Sequence, residues 1–141
     1  MSNCDFITSA QKYCLNNGLR LTAPRLYVLS ILGNENEPMG AYDVLKKLSL
    51  YIKTPKPPTV YRALDFWQKH GFVHKIESLN AFITRHENYQ DKDTHFLVCD
   101  GCNSVQELHD IRDTNHHKNI PTEFVAKRTF TETHGICGEC T

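Results

Sequence analysis

Two short cysteine motifs constrain this chain more than anything else in it: Cys99-Asp100-Gly101-Cys102 and Cys137-Gly138-Glu139-Cys140. The C-x-x-C spacing lets one tight backbone loop turn two thiolates inward. Two such loops supply a tetrahedral set of four sulfurs, the closed arrangement of a structural zinc. Whatever else the last third of the chain does, it must fold so that these two loops meet. A thioredoxin-like dithiol would instead open a helix in a βαβ setting, and the flanking sequence offers none. The opening residues lack a basic segment followed by an apolar run, so the expected compartment is the reducing cytoplasm, where paired C-x-x-C motifs favour zinc over disulfides. Cys14 reads as a small core residue of the first helix, and Cys4 as a free terminal thiol.

A length of 141 residues suits one ordinary domain or two small ones, each of which gains from a metal or from dimerisation. The formal net charge is zero, but its distribution is uneven. Residues 1–85 hold eleven Lys and Arg against six Asp and Glu, whereas residues 86–141 hold five against ten and six of the eight histidines. A basic half suits a polyanionic partner, and an acidic, His-rich half suits metal cations. No apolar run approaches the length of a membrane span. With neither an H-E-x-x-H spacing nor a phosphate loop, the sequence predicts no enzyme and no small organic substrate.

The basic half reads as helices with clear punctuation. Phe6, Ala10, Tyr13 and Cys14 define an apolar stripe that stops at Gly18. Thr22 is an N-cap with Pro24 in the first turn, and Leu26, Leu29 and Leu32 follow along one face. Ala41, Val44, Leu45 and Leu48 repeat the pattern. A proline cluster then forces an extended approach to a helix beginning near Pro58 or Thr59. Its buried stripe is Val60, Ala63, Leu64 and Trp67, and Gly71 ends it. Two alternating runs around Leu79-Asn80 predict a hairpin. Helices followed by a hairpin are the order of a winged helix-turn-helix. The polar stretch after it predicts a hinge. Beyond the hinge come a strand, the first knuckle, a second strand, a very polar segment at residues 109–120 that is at best a short helix, and a strand over 123–135 running into the second knuckle. The fold class is therefore α+β: a winged-helix domain over 1–84, a hinge over 85–94, and a small zinc-stapled domain over 95–141.

A helix with an apolar back and a Tyr/Arg front, on a basic domain, fits the major groove of double-stranded DNA. Arg62 is placed for a bidentate contact to guanine or for a phosphate. Thr59 and Tyr61 reach phosphate oxygens or a thymine methyl. Tyr42, opening the preceding helix, is a further base-reading candidate, with Arg25 and Lys75 as backbone contacts.

The run KPPTVYRALDFWQKHGFVHKIES resembles the signature segment of the ferric uptake regulator superfamily, in its zinc uptake regulator branch. LRLTAPRLYVLSIL, AYDVL, FLVCDGC, VQE and ETHGICGEC are similar to the same family in the same order, so the resemblance spans nearly the whole chain. It implies a homodimeric repressor that binds operator DNA when zinc is replete, with dimerisation residing in the half that carries the cysteines. A family member that senses iron, manganese or peroxide is the alternative. It also implies two zincs per monomer, one structural and one regulatory. Mapped onto this chain, the regulatory ligands are His74, the hinge histidine His95 and Glu107. The position of the family's remaining cysteine ligand is Arg85, which cannot bind zinc, and the adjacent His86 completes a His₃Glu set in its place. Mixed nitrogen and oxygen ligands suit an exchangeable zinc.

Overall fold

The computed structural model describes residues 3–85, 94–108, 119–126 and 129–141. It divides into two compact units, Met1–Tyr89 and Gln90–Thr141. Much of the predicted hinge, including His86, and most of the polar 109–120 segment lie outside the described residues.

The first unit contains four helices and a hairpin: α1 (Asn3–Asn16), α2 (Ala23–Gly33), α3 (Ala41–Leu48), α4 (Pro57–Lys69), β1 (Val73–Ile76) and β2 (Ala81–Thr84). Helix α1 buries Phe6, Ala10 and Cys14, spaced four residues apart. It ends at Gly18, whose φ of 63° belongs to the left-handed region. Leu19 N–H then bonds Cys14 C=O at 2.9 Å, the 6→1 bond of a Schellman cap. Helix α4 stops in the same way. Gly71 has φ 81° and Phe72 N–H bonds Trp67 C=O at 2.9 Å.

Thr22 caps α2, its hydroxyl accepting from Arg25 N–H. No side chain caps α4, and it starts at Pro57, slightly earlier than the sequence predicts. Two prolines in the first turn explain both facts, since they bring no N–H groups to satisfy and their φ is already helical. The predicted stripe of α4 is buried as a set: Val60, Ala63, Leu64 and Trp67. The face of α2 is broader than the Leu26, Leu29, Leu32 reading. Val28, Leu29, Ile31 and Leu32 are buried and Leu26 only partly, because the helix has packed neighbours on more than one side.

The core is aromatic at its centre. Phe72 stands edge-on to Trp67 and Tyr13, with ring centroids 5.3 and 5.2 Å apart, and Phe6 lies 6.1 Å away. Such pairs add to the area they bury. The wing is an antiparallel hairpin pairing Val73 with Thr84 and His74 with Ile83. Its turn is longer than a two-residue loop: a 3-10 turn over Glu77–Leu79, then Asn80 in the left-handed region at φ 47°. Met39 pairs with Phe82 through two backbone bonds of 2.9 and 2.8 Å, tying the segment before α3 to the wing.

The second unit is a three-stranded sheet in the order β4-β3-β5, formed by β3 (Thr94–Cys99), β4 (Val105–Leu108) and β5 (Phe130–Gly135). β3 and β4 are antiparallel around the first knuckle, and β5 joins β3 in parallel. The strand into the second knuckle begins only at Phe130; residues 123–126 are not strand.

Candidate metal centre and basic surface

The sheet register delivers the two knuckles to one place. In the parallel pair Cys99 stands opposite Gly135, so both strands run out at the same end of the sheet. Asp100 N–H bonds Gly135 C=O at 2.8 Å, carrying the pairing one step beyond the strands. The sulfurs of Cys99, Cys102, Cys137 and Cys140 all lie within 4.8 Å of one another. Tetrahedral ligands with metal–sulfur bonds of about 2.3 Å are separated by about 3.8 Å. Cys102 and Cys137 Sγ are 3.8 Å apart. Among the described residues this is the one group of three or more His, Cys, Asp or Glu close enough to hold an ion.

The thiols are electrostatically unequal. The Cys99 thiol is lowered to about 6, first by the backbone N–H of Cys137 and then by that of Cys102, with Gly101 adding to them. The Cys137 and Gly101 N–H groups each lie 3.3 Å from Cys99 Sγ. Cys102 is lowered mainly by Ser104, whose Oγ is 3.2 Å from its sulfur. Cys140 is pushed up to about 12, chiefly by Cys137 and then by the Cys102 and Cys99 sulfurs beside it. Crowded sulfurs that resist a fourth negative charge are what a dication relieves. Donor set, spacing and charge therefore all fit a closed tetrahedral zinc.

Two supports were not visible as such in the sequence. A Cβ at Gly101 would lie 3.2 Å from Cys140 Sγ and 3.3 Å from its Cβ, so the first knuckle needs glycine for space. His134 reaches Asp100 Oδ1 at 3.4 Å and Glu132 Oε2 at 3.3 Å, bridging β5 to the first knuckle. The sequence gives His134 no role beyond a surface histidine. Only the β3–β5 register brings it beside Asp100.

The residues that the family resemblance assigns to a regulatory zinc are divided between the two units. His74 lies in β1 of the first unit, half-buried opposite Ile83. His95 and Glu107 lie in the second unit, on β3 and β4. Glu107 is opposite Phe96, and His95 is opposite Leu108. Since side chains alternate along a strand, His95 and Glu107 point to opposite faces of the same sheet. His95 Nε2 meets the Thr133 hydroxyl on its own face. In this register the side chains of His95 and Glu107 leave the sheet on opposite faces. Sequence spacing gave no sign of this, because parity depends on where the strand begins.

On the first unit the DNA candidates are spread over α2, α3, α4 and the wing. Tyr61 and Tyr42 are 51% and 69% exposed, far more than a tyrosine needs for packing. Lys46 Nζ lies 5.3 Å above the Tyr42 ring. Arg25 is held rather than free: its guanidinium stacks 3.9 Å over Phe66 and donates to Arg20 C=O. Its own carbonyl accepts from Trp67 Nε1–H at 2.7 Å. Thr22, Arg25, Thr59 and Arg62 line one cleft of about 200 Å³. Arg25 from the first turn of α2 and Arg62 from the second turn of α4 make a cleft suited to an anionic oxygen. Lys75 sits on the wing 3.6 Å from Glu77. Among the described residues no helix is long and apolar enough to cross a membrane.

Residues 16–135 match the profile of the Ferric uptake regulator family. The chain is 36% identical over 141 residues to the zinc uptake regulation protein of Escherichia coli (strain K12), covering 96% of this chain and 81% of that protein. It is similar to a zinc uptake regulator solved in complex with zinc and DNA, with a TM-score of 0.87, 34% identity and coverage of 99% of this chain and 95% of that one. It also resembles holo XcZur, with a TM-score of 0.81, 38% identity and coverage of 99% and 98%.

Proposed function

Because the chain belongs to the ferric uptake regulator family, we propose that it is a zinc-responsive transcriptional repressor, not an enzyme, that binds operator DNA as a homodimer. The observation that carries this is the likeness, over nearly the full length of both chains, to a regulator solved with zinc and DNA. Residues 1–84 act as the DNA-binding domain, 85–94 as the hinge and 95–141 as the dimerisation domain, in the cytoplasm.

Helix α4 buries its apolar stripe and leaves Thr59, Tyr61 and Arg62 to the groove. Arg62 reads a base edge, and Tyr42 reads a second position. The cleft shared by Arg25 and Arg62 takes a backbone phosphate, and Lys75 contacts the backbone from the wing. In the second unit, exposed Phe124, Val125, Phe130 and Ile136 are the apolar surface that a second copy covers. Cys99, Cys102, Cys137 and Cys140 hold a structural zinc that fixes the ends of β3 and β5.

The reading includes two zincs per monomer, the second exchangeable. We carry His74, His86, His95 and Glu107 forward as its donors; because His95 and Glu107 leave opposite faces of the sheet, replacing each separately tests which of the two holds the ion.

The test is operator selection from a random duplex library, then affinity measurements at fixed ionic strength, since phosphate contacts make affinity salt-dependent. Zinc should raise affinity about a hundredfold over the mildly chelated protein, a coupling of about 3 kcal/mol. An equal response to iron or manganese would replace zinc as the signal. Binding without sequence preference would sink the repressor reading.

A further inference from the structure

Phe66 is an aromatic side chain of α4 that the buried stripe does not use: it is only half-buried, whereas Val60, Ala63, Leu64 and Trp67 are buried. It lies four residues after Arg62, so the two are neighbours one turn apart on the same face of the helix. The Arg25 guanidinium, arriving from the first turn of α2, stacks over this ring with Cζ 3.9 Å from the centroid. It also donates to the Arg20 carbonyl, and Arg25 lines one cleft with Arg62, Thr22 and Thr59.

The ring is itself supported. Trp67 stands edge-on to it at 4.8 Å, and the His70 ring at the end of α4 lies 4.7 Å away. His70 Nδ1 is 3.1 Å from the Tyr13 hydroxyl, which links the stack to α1. An aromatic face attracts a guanidinium through the ring quadrupole and through planar stacking, and a lysine ammonium offers no such plane. Arg25 and Arg62 carry like charges, which repel. The ring and the Arg20 carbonyl keep Arg25 in the cleft without removing its charge.

We propose that Phe66 is a positioning residue for DNA binding: its ring presents the Arg25 guanidinium, already ordered, to a backbone phosphate beside the helix that reads the bases. A side chain fixed before association gives up no rotamer freedom on contact. A phosphate contact in turn fixes how the protein sits on the duplex. This rests on the repressor reading above and on Arg25 as a phosphate contact.

The experiment is a double-mutant cycle on the full-length protein with zinc present, using the operator selected from the random library. Phe66→Leu, Phe66→Tyr, Arg25→Ala, Arg25→Lys and the pair Phe66→Leu with Arg25→Ala are each titrated at several salt concentrations. Circular dichroism melting sets a temperature at which the variants compared are folded. Arg25→Ala should lower the slope of log affinity against log salt by about one, because one phosphate contact is lost. Phe66→Leu should weaken binding about three- to tenfold at unchanged slope, because the charge remains but must be ordered on binding. Phe66→Tyr keeps the ring and should bind as the parent does. Once Arg25 is alanine, Phe66→Leu should weaken binding no further.

Equal weakening by Phe66→Leu in the parent and in the Arg25→Ala background would refute the proposal, since the ring would then act through the packing of α4 alone. Should Phe66→Leu not fold, Arg25→Lys carries the test. It keeps the charge but not the planar stack, so it should weaken binding at unchanged slope, and binding equal to the parent's would overturn the proposal. If Arg25→Ala leaves affinity and slope unchanged, Arg25 is no phosphate contact, and the role of Phe66 falls while the repressor reading stands. If the library yields no preferred operator, the repressor reading itself fails.

Discussion

The replacement Trp67→Phe isolates what holds the DNA-reading helix in place. Trp67 is fully buried, and its indole N–H bonds the Arg25 carbonyl at 2.7 Å, joining α4 to the first turn of α2. Its ring also stands 4.8 Å from Phe66 and 5.3 Å from Phe72, both in edge-on geometry. Phenylalanine keeps an aromatic ring but removes the donor and roughly three carbon-sized atoms. The Arg25 carbonyl keeps its helical partner, so the lost bond costs about 0.5–1.5 kcal/mol. The missing atoms cost about 2 kcal/mol of transfer energy, and the remaining void about 1 kcal/mol more. The sum, about 4 kcal/mol, is a large share of a domain's usual 5–15 kcal/mol.

For a body of this size the melting temperature should fall by more than about 15 °C. Thermal circular dichroism gives that shift. A denaturant titration should show a lower midpoint at unchanged slope, the mark of a stability change alone. Below the lowered melting point operator affinity should change little, because the side chain faces the core. The exposed control Leu15→Ala, at a position 81% exposed, should stay within about 0.5 kcal/mol of the parent. A loss below about 1 kcal/mol for Trp67→Phe would refute the account of this contact as a pin between helices.

Arg62→Ala should weaken operator binding by about 1–3 kcal/mol and relax preference at one base position, measured by competition against single-base operator variants. Cys99→Ser should lose the chelator-resistant zinc and, with it, the dimer or the fold of the second unit, read by metal analysis and sedimentation. Zinc affinity of the tetrad should rise with pH. Above about 6 the Cys99 thiol is already ionised and yields no proton to the metal, whereas Cys140, raised to about 12, yields one throughout the accessible range. The logarithm of affinity against pH between 7 and 8 should therefore have a slope of at least about one and below about four; a slope of four would show that Cys99 is not stabilised as thiolate.

Much of this was legible in the sequence because the signals were local. Capping glycines at 18 and 71, the N-cap at Thr22 and the i, i+3, i+4, i+7 stripe from Val60 to Trp67 each depend on a few neighbouring residues. The four cysteines could be grouped because C-x-x-C carries its own geometry. What the sequence did not reveal was long-range. Whether His95 and Glu107 share a face depends on the pairing of β3 with β4, which no residue near either one encodes. The clasp made by His134 needs β5 laid beside β3 in one register, and the crowding at Gly101 needs Cys140 to arrive from the far knuckle. Arg85 stood out in the sequence only as a misfit; that it lies buried, just beyond the end of β2, is visible only in the fold.

The parallel pairing of β3 with β5 has a consequence for folding. These strands begin at Thr94 and Phe130, so their contacts are remote in sequence and slow to find. A slip of one residue would turn every side chain of β5 to the wrong face, and a slip of two would carry the second knuckle about 6.6 Å along the strand. That exceeds the 4.8 Å within which all four sulfurs now lie. A misaligned sheet therefore cannot close around a metal, and only the correct alignment is trapped. The tetrad acts as a gauge of assembly: zinc retention at the knuckles certifies that two distant strands have met in register.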